Sequence, residues 1–230
     1  TVAAQKQMKS ERMKTELITN VSHDIKTPLT SIINYADLIE KEPCDNPTIT
    51  EYAGVLHRQS DRLKRLIDDL VEASKASTGN LSVHWENCEL GILLEQMAGE
   101  YGEKLESRGL ELVLKKPEEP VIIRADGRHM WRIFDNLMNN IVKYAQPRTR
   151  VYLSLEQRGD KAVVIFRNIS GEALNVSGEE LMERFVRGDS SRSSEGSGLG
   201  LSIARSLVQL QKGEMKITVD GDLFKVELIF

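Results

Sequence analysis

Residues 127–168 read GRHMWRIFDNLMNNIVKYAQPRTRVYLSLEQRGDKAVVIFRN, and this stretch decides the fold. Residues 127–144 predict a helix. Residues 150–168 alternate apolar and polar side chains on both sides of Arg158-Gly159-Asp160, which predicts two strands joined by a tight turn. Helices that share a chain with antiparallel hairpins pack on one side of a sheet. Upstream, LELVLKKP (110–117) and PVIIRAD (120–126) predict two more strands. LSVHWENCEL (81–90) predicts a short strand, with His84 in it, that runs into a helix over 89–107. Downstream, a Gly/Ser-rich stretch at 188–200 precedes a helix at 200–212, and EMKITVDGDLFKVELIF (214–230) closes as a hairpin turning at Asp220-Gly221. Residues 80–230 are therefore expected to form an α+β two-layer sandwich.

The N-terminal third has a different texture. Residues 1–42 contain no Gly and one Pro, Pro28, and Met13, Leu17, Val21, Ile25, Leu29, Ile32, Ile33, Ala36 and Ile39 recur at helical spacing. Such a helix would be roughly 60 Å long and needs a partner to cover its apolar stripe. Pro28 should kink it, because proline removes a donor and crowds the preceding turn. Glu42–Pro47 reads as a turn, and Thr48 with Glu51 resembles a capping box. A second helix should carry Ile49, Tyr52, Val55, Leu56, Leu63, Leu66, Ile67, Leu70 and Val71, and stop at Ser77-Thr78-Gly79-Asn80. One hairpin buries too little by itself, so a homodimer forming a four-helix bundle is expected. The domain reading is thus 1–79, an all-α hairpin, and 80–230, the sandwich.

Composition narrows the classes. Hydrophobic residues make up 40%, charged residues 29% and aromatics 5%, with a net charge of −4, so nucleic acid is not an expected partner. Cys44 and Cys88 are far apart and suit neither zinc nor a disulfide framework. No apolar run reaches the roughly 20 residues that span a bilayer. The chain opens on Thr1 in a charged helical pattern, which reads as a piece of a longer protein that a membrane segment could precede.

Three motifs carry chemistry. In Val21-Ser22-His23-Asp24-Ile25-Lys26-Thr27-Pro28-Leu29, His23 and Thr27 share a helix face, and a neutral imidazole is a competent nucleophile near neutral pH. Asp24 can hold the other ring nitrogen. In Asp135–Tyr144, residues Asn136, Asn140, Lys143 and Tyr144 fall on or near one helix face. Carboxamide oxygens suit Mg²⁺, lysine suits phosphate, and an aromatic ring suits a base. Gly196-Ser197-Gly198-Leu199-Gly200-Leu201 ahead of a helix lets backbone approach phosphates at a helix N-terminus. It is neither a Rossmann fingerprint nor a P-loop.

Together these segments resemble the sensor histidine kinases of two-component systems. NVSHDIKTPLTSIINYADLIE resembles their phosphoacceptor box, DNLMNNIVKY their N-box, and GSGLGL their glycine box. Glu183–Asp189, with Phe185 and Arg187, resembles the F-box. The resemblance covers nearly all of 10–230. It implies a dimeric phosphotransfer bundle followed by a Bergerat-type ATP-binding fold with a mixed sheet. It implies His23 as the phosphorylated residue, Asp24 as its base or orienter, and Thr27 as an aid to dephosphorylating the partner. Asn140 is implied as the Mg²⁺ ligand, with Asn136, Lys143, Tyr144, Arg187, Gly196, Gly198, Leu199 and Gly200 around ATP, and 188–197 as a lid. The implied partner is a response regulator whose aspartate receives the phosphoryl group. The implied setting is the cytoplasmic part of a bacterial inner-membrane sensor.

The sequence departs from the family between the N-box and the F-box. Asn168, in Phe166-Arg167-Asn168-Ile169-Ser170-Gly171-Glu172, stands where an adenine-binding Asp is expected, and the usual glycines are poorly kept. Its carboxamide oxygen can accept the same hydrogen bond. Ile141 replaces a usual Ala. Two other readings stay open: an ATP hydrolase of the gyrase or Hsp90 type, and a degenerate kinase acting as a dimeric binding module. The hydrolases place a water-activating Glu where this chain has Asn136, and the altered Asn168 region motivates the binding module. His57, His84 and His129 read as structural or exposed.

Overall fold

A computed structural model of the chain describes residues 22, 25–26, 28–41, 46–77, 81–174 and 199–230. The chain divides into Thr1–Asn80 and Leu81–Phe230.

In the first unit, helix α1 covers 28–41 and α2 covers Pro47–Ser77. The sequence suggested Thr48 as the cap of α2, and the structure moves the cap two residues earlier, to Asn46. Asn46 Oδ1 accepts from the Thr48 amide at 3.1 Å and the Asn46 carbonyl accepts from Ile49 N at 3.1 Å, with Pro47 first in the helix. Proline's fixed φ and missing N–H suit that first position, which puts Asn46 at the cap. Leu29 and Ala36 on α1, and Ala53, Ser60, Ile67 and Ser74 on α2, are buried at intervals of seven, the spacing of a knobs-into-holes seam. Beside that seam Ile25, Ile32 and Ile39 on one helix and Ile49, Leu56 and Leu63 on the other remain exposed.

The second unit begins with β1 (Glu86–Glu89) and α3 (Leu90–Ser107), then β2 (Glu111–Lys115) and β3 (Ile122–Ala125). Next come α4 (Gly127–Tyr144), β4 (Arg150–Arg158), β5 (Lys161–Ile169), α5 (Gly200–Leu210), β6 (Glu214–Asp220) and β7 (Leu223–Ile229). Five strands form a mixed sheet in the order β2-β4-β5-β7-β6, with β2 parallel to β4 and the other pairs antiparallel. Strands β1 and β3 make a separate antiparallel pair. The two hairpin turns fall where the sequence put them, with Gly159 at φ 66° and Gly221 at φ 57°, a region glycine occupies without steric cost.

Residues 81–85 are not strand, so His84 lies outside one; its amide is taken by the Asp126 carboxylate at 2.9 Å instead of by a ladder. Phe166 on β5 packs against Phe134 on α4, centroids 5.5 Å apart, which fixes Ala162, Val164, Phe166 and Asn168 as the helix-facing row. Val163 and Ile165 on the opposite row are buried as well. Arg158 bridging Glu227 at 3.2 Å, and Arg167 over the Tyr152 ring at 5.5 Å, lay long side chains across that face. The stripe Met130, Ile133, Phe134, Leu137, Met138 and Ile141 of α4 faces the core, and α4 packs on α5. Among the described residues no helix is long and apolar enough to cross a membrane.

Candidate functional site

Helix α4 carries the site, and its two ends are fixed by different means. At the start, Asp126 Oδ1 caps the helix through the amides of Arg128 (3.0 Å) and His129 (3.4 Å). At the end, Gln146 N donates to Ile169 O at 2.8 Å and Gly171 N donates to Tyr144 O at 2.8 Å. These two bonds stitch the Lys143-Tyr144 end of α4 to the end of β5 that holds Asn168. A Cβ on Gly171 would stand 3.4 Å from Tyr144 O, so this glycine permits the close approach.

Along α4, Asn136 is buried, and among the described residues its Nδ2 has no hydrogen-bond partner. One turn on, Asn140 is half-buried, and Lys143 Nζ lies 4.7 Å from the Tyr144 ring centroid. Helix α5 opens against the same side chain, since a Cβ on Gly200 would stand 3.5 Å from Asn136 Oδ1. Leu199 is buried ahead of it and, being apolar, gives this helix start no cap from its own side chain. Helix N-termini favour anions.

Asn168 is 4% exposed, and its Nδ2 donates to Ile169 O at 3.1 Å. Only the NH₂ end can donate to a carbonyl, so Oδ1 is the end that faces away as an acceptor. Oδ1 is buried and unpartnered among the described residues. A buried orphan acceptor costs stability unless something donates to it, which is what an adenine amino group would do. Asn136 Nδ2 and Asn168 Oδ1, both buried and without a partner among the described residues, are thus polar atoms that a nucleotide would suit.

The structure brings together Asn136, Asn140, Lys143, Tyr144, Asn168, Leu199 and Gly200 on α4, the end of β5 and the start of α5. His23, Asp24, Thr27, Arg187, Gly196 and Gly198, and the suggested lid, lie outside the described residues; the last residue of the glycine box's GxG-L-G run, Gly200, is described.

Sequence reasoning missed three supporting residues. Tyr101 on α3 is 1% exposed and donates to Asp135 Oδ1 at 2.5 Å, next to Asn136. Burial first, and the Asp135 hydrogen bond second, push its hydroxyl far above the usual tyrosine range, so it stays a donor. Asp126 is 1% exposed. Burial pushes its carboxyl up, but the amides of His84, His129 and Arg128 and the nearby His129 ring outweigh this, and the net shift is downward. A carboxyl depressed in the folded state stabilises above its ordinary range and loses that contribution as pH falls through the folded value. Gln211 Oε1 accepts from Asp126 N at 2.7 Å and joins the end of α5 to the start of α4. An aspartate just before a helix was a readable cap signal, whereas Tyr101 and Gln211 depend on contacts distant in sequence. Cys88 is buried and free, its thiol pushed up to about 11 by burial first and by Glu86, Glu89 and Asp126 after it, so it stays protonated and inert.

An α+β sandwich with this polar helix face, following a helical hairpin, defines a two-module protein of the histidine-kinase ATPase class. Residues 13–79 match the His Kinase A (phospho-acceptor) domain, and 125–228 match the histidine kinase-, DNA gyrase B-, and HSP90-like ATPase family. The chain belongs to the sensor histidine kinases. It is 30% identical over 226 residues to the sensor protein VanS of Enterococcus faecium, covering 95% of this chain and 58% of that protein. It is 32% identical over 202 residues to the sensor histidine kinase MtrB of Mycobacterium bovis, covering 86% of this chain and 35% of that protein. The chain therefore spans between about a third and three-fifths of these relatives. Full-length ShkA, crystallised with AMPPNP, has the same fold with a TM-score of 0.81 at 20% identity, over 93% of this chain and 45% of that one. The histidine kinase AdeS of Acinetobacter baumannii gives 0.61 at 15%, over 90% and 96%.

Proposed function

We propose that the chain is the catalytic core of a sensor histidine kinase that phosphorylates His23 from ATP and passes the phosphoryl group to an aspartate of a response regulator. The observation that carries this reading is the union, in one chain, of a match to a phospho-acceptor domain and a match to the kinase ATPase domain. A ring nitrogen of His23 attacks the γ-phosphorus; a P–N bond forms as the bond to the bridging oxygen breaks, and ADP leaves with that oxygen. Asp24 holds the second ring nitrogen and the positive charge that develops on the imidazole. Asn136, Lys143, Tyr144, Asn168, Arg187, Gly196, Gly198, Leu199 and Gly200 hold ATP. The unpartnered Asn168 Oδ1 supports adenine there, and the AMPPNP bound to the related fold is in keeping with it. Asn140 would ligate Mg²⁺, whose charge neutralises the phosphates during transfer. A hydrolase would need a water-activating acid where this chain has Asn136, so transfer is favoured over hydrolysis.

The test is incubation with ATP labelled at the γ-phosphate and Mg²⁺. An acid-labile, base-stable label on the protein supports the reading; an intact dimer that binds ATP but takes no label sinks it and leaves the hydrolase and the binding module, which release of labelled phosphate separates. Thr27→Ala should autophosphorylate at the wild-type rate while dephosphorylating the regulator about a hundredfold more slowly, the lower end of the range for a lost acid–base group. Equal loss of both activities would refute that division of roles.

The exposed row Ile25, Ile32 and Ile39 with Ile49, Leu56 and Leu63 favours a homodimer through a four-helix bundle. Ile32→Glu with Leu56→Glu should turn the dimer into monomer in sedimentation velocity at micromolar concentration; a dimer that persists would place the interface elsewhere. The response regulator is the second partner, and the relatives named as sensor proteins support placing this core on the cytoplasmic side of a membrane-anchored sensor.

A further inference from the structure

We propose that Asp126 and His129 are positioning residues for phosphoryl transfer, because they strap the segment that enters the ATP-binding unit onto the first turn of the nucleotide-holding helix. This rests on the kinase reading above. Segment 82–86 lies between the two family matches and precedes or opens β1, with Ser82, His84 and Trp85 exposed. It is held all the same. Asp126 Oδ2 accepts from His84 N at 2.9 Å, and His129 Nε2 faces Ser82 O at 3.0 Å, so that ring nitrogen carries a proton. Glu86 Oε1 accepts from Gly127 N at 3.3 Å, and Arg124 donates to Trp85 O at 3.1 Å. One buried carboxylate thus divides its oxygens, Oδ1 capping α4 and Oδ2 holding the incoming chain. Its amide, through Gln211, ties the same point to α5.

The strap sets a tether length. Helix α2 ends at Ser77 and the first strapped carbonyl is that of Ser82, so four residues, 78–81, separate the two anchors; without the strap eight residues, 78–85, separate α2 from β1. At about 3.4 Å per residue the maximum span doubles, from about 14 Å to about 27 Å. Effective concentration falls with roughly the −3/2 power of tether length, so doubling it lowers the encounter of nucleotide with histidine by about threefold.

Two variants of the whole chain test this. Asp126→Asn keeps an oxygen for the cap, since asparagine caps as well as aspartate, and replaces the acceptor of the His84 amide with a donor. His129→Ala frees Ser82 and leaves the cap in place. Each single variant leaves the other's bond in place, so the two are also combined in one chain. The double variant should bind ATP within twofold of the wild type, yet autophosphorylate at saturating ATP about two- to threefold more slowly or worse. Hydrogen exchange at the His84 amide should be slow in the wild type and in His129→Ala, where Asp126 still holds it, and fast in Asp126→Asn and in the double variant. An unchanged rate at saturating ATP in the double variant would overturn the proposal, as would parallel losses of ATP affinity and rate, which a purely structural role predicts. Slow His84 exchange in the double variant would overturn it too. A wild-type chain that takes no label sinks the kinase reading instead, and is told apart by that.

Discussion

His23→Gln should reduce the acid-labile label to background while ATP affinity and the dimer stay as in the wild type. Glutamine is close to histidine in reach and retains hydrogen bonding, but its amide has no nucleophilic lone pair. The loss should therefore be complete, since no other group can take over the covalent step. The described neighbours of this position limit the damage elsewhere. Ser22 is buried and Ile25, Lys26 and Pro28 are helical, with Lys26 paired to Asp68 of α2, so a polar replacement of similar size leaves the hairpin held. The decisive measurement pairs the label with calorimetric ATP binding on the same preparation. Full label in His23→Gln would move the acceptor to another residue and remove the central element of the proposed mechanism.

Asn140→Ala is expected to have the next largest effect, a fall of at least about tenfold to a hundredfold in Mg²⁺-ATP affinity, the range for residues that ligate or orient a ligated metal. The fold should survive. Asn140 is half-buried on α4, outside the buried stripe of Met130, Ile133, Phe134, Leu137, Met138 and Ile141, and alanine is the better helix former. A thermal midpoint at or slightly above the wild type, together with lost affinity in a Mg²⁺-ATP titration, is the expected pair of results. Unchanged affinity would contradict the assignment of Asn140, and a collapsed midpoint would mean that the asparagine supports α4 itself.

Much of this architecture was legible because local signals and tertiary contacts agree. Helix α4 runs over the stretch its pattern marked, and the hairpin turns sit on Gly159 and Gly221, where a positive φ is needed. The misreadings share a cause. Thr48 looked like a cap until Pro47 took the first helical position and gave the cap to Asn46. His84 looked like strand, but a side chain 42 residues away claims its amide. Val163 and Ile165 belong to a central strand buried on both faces, so strict alternation understated the core. Of the site, the polar face of α4 was readable from spacing, whereas Tyr101 and Gln211 reach it from other elements and leave no local mark.

The bond from Asn168 Nδ2 to the Ile169 carbonyl has a consequence for which nucleotide the proposed site admits. An asparagine free to turn could present either a donor or an acceptor, and so greet adenine or guanine alike. Here a main-chain oxygen holds the NH₂ end against the backbone, so that the acceptor is the end turned to the base. Adenine offers an amino group at that edge, whereas guanine offers a carbonyl, which would set two lone pairs against each other in a buried place. Leaving such groups unmatched costs about 1–3 kcal/mol, or roughly one to two orders of magnitude in affinity. Selection between purines is then vested in a peptide carbonyl, which no side-chain substitution removes.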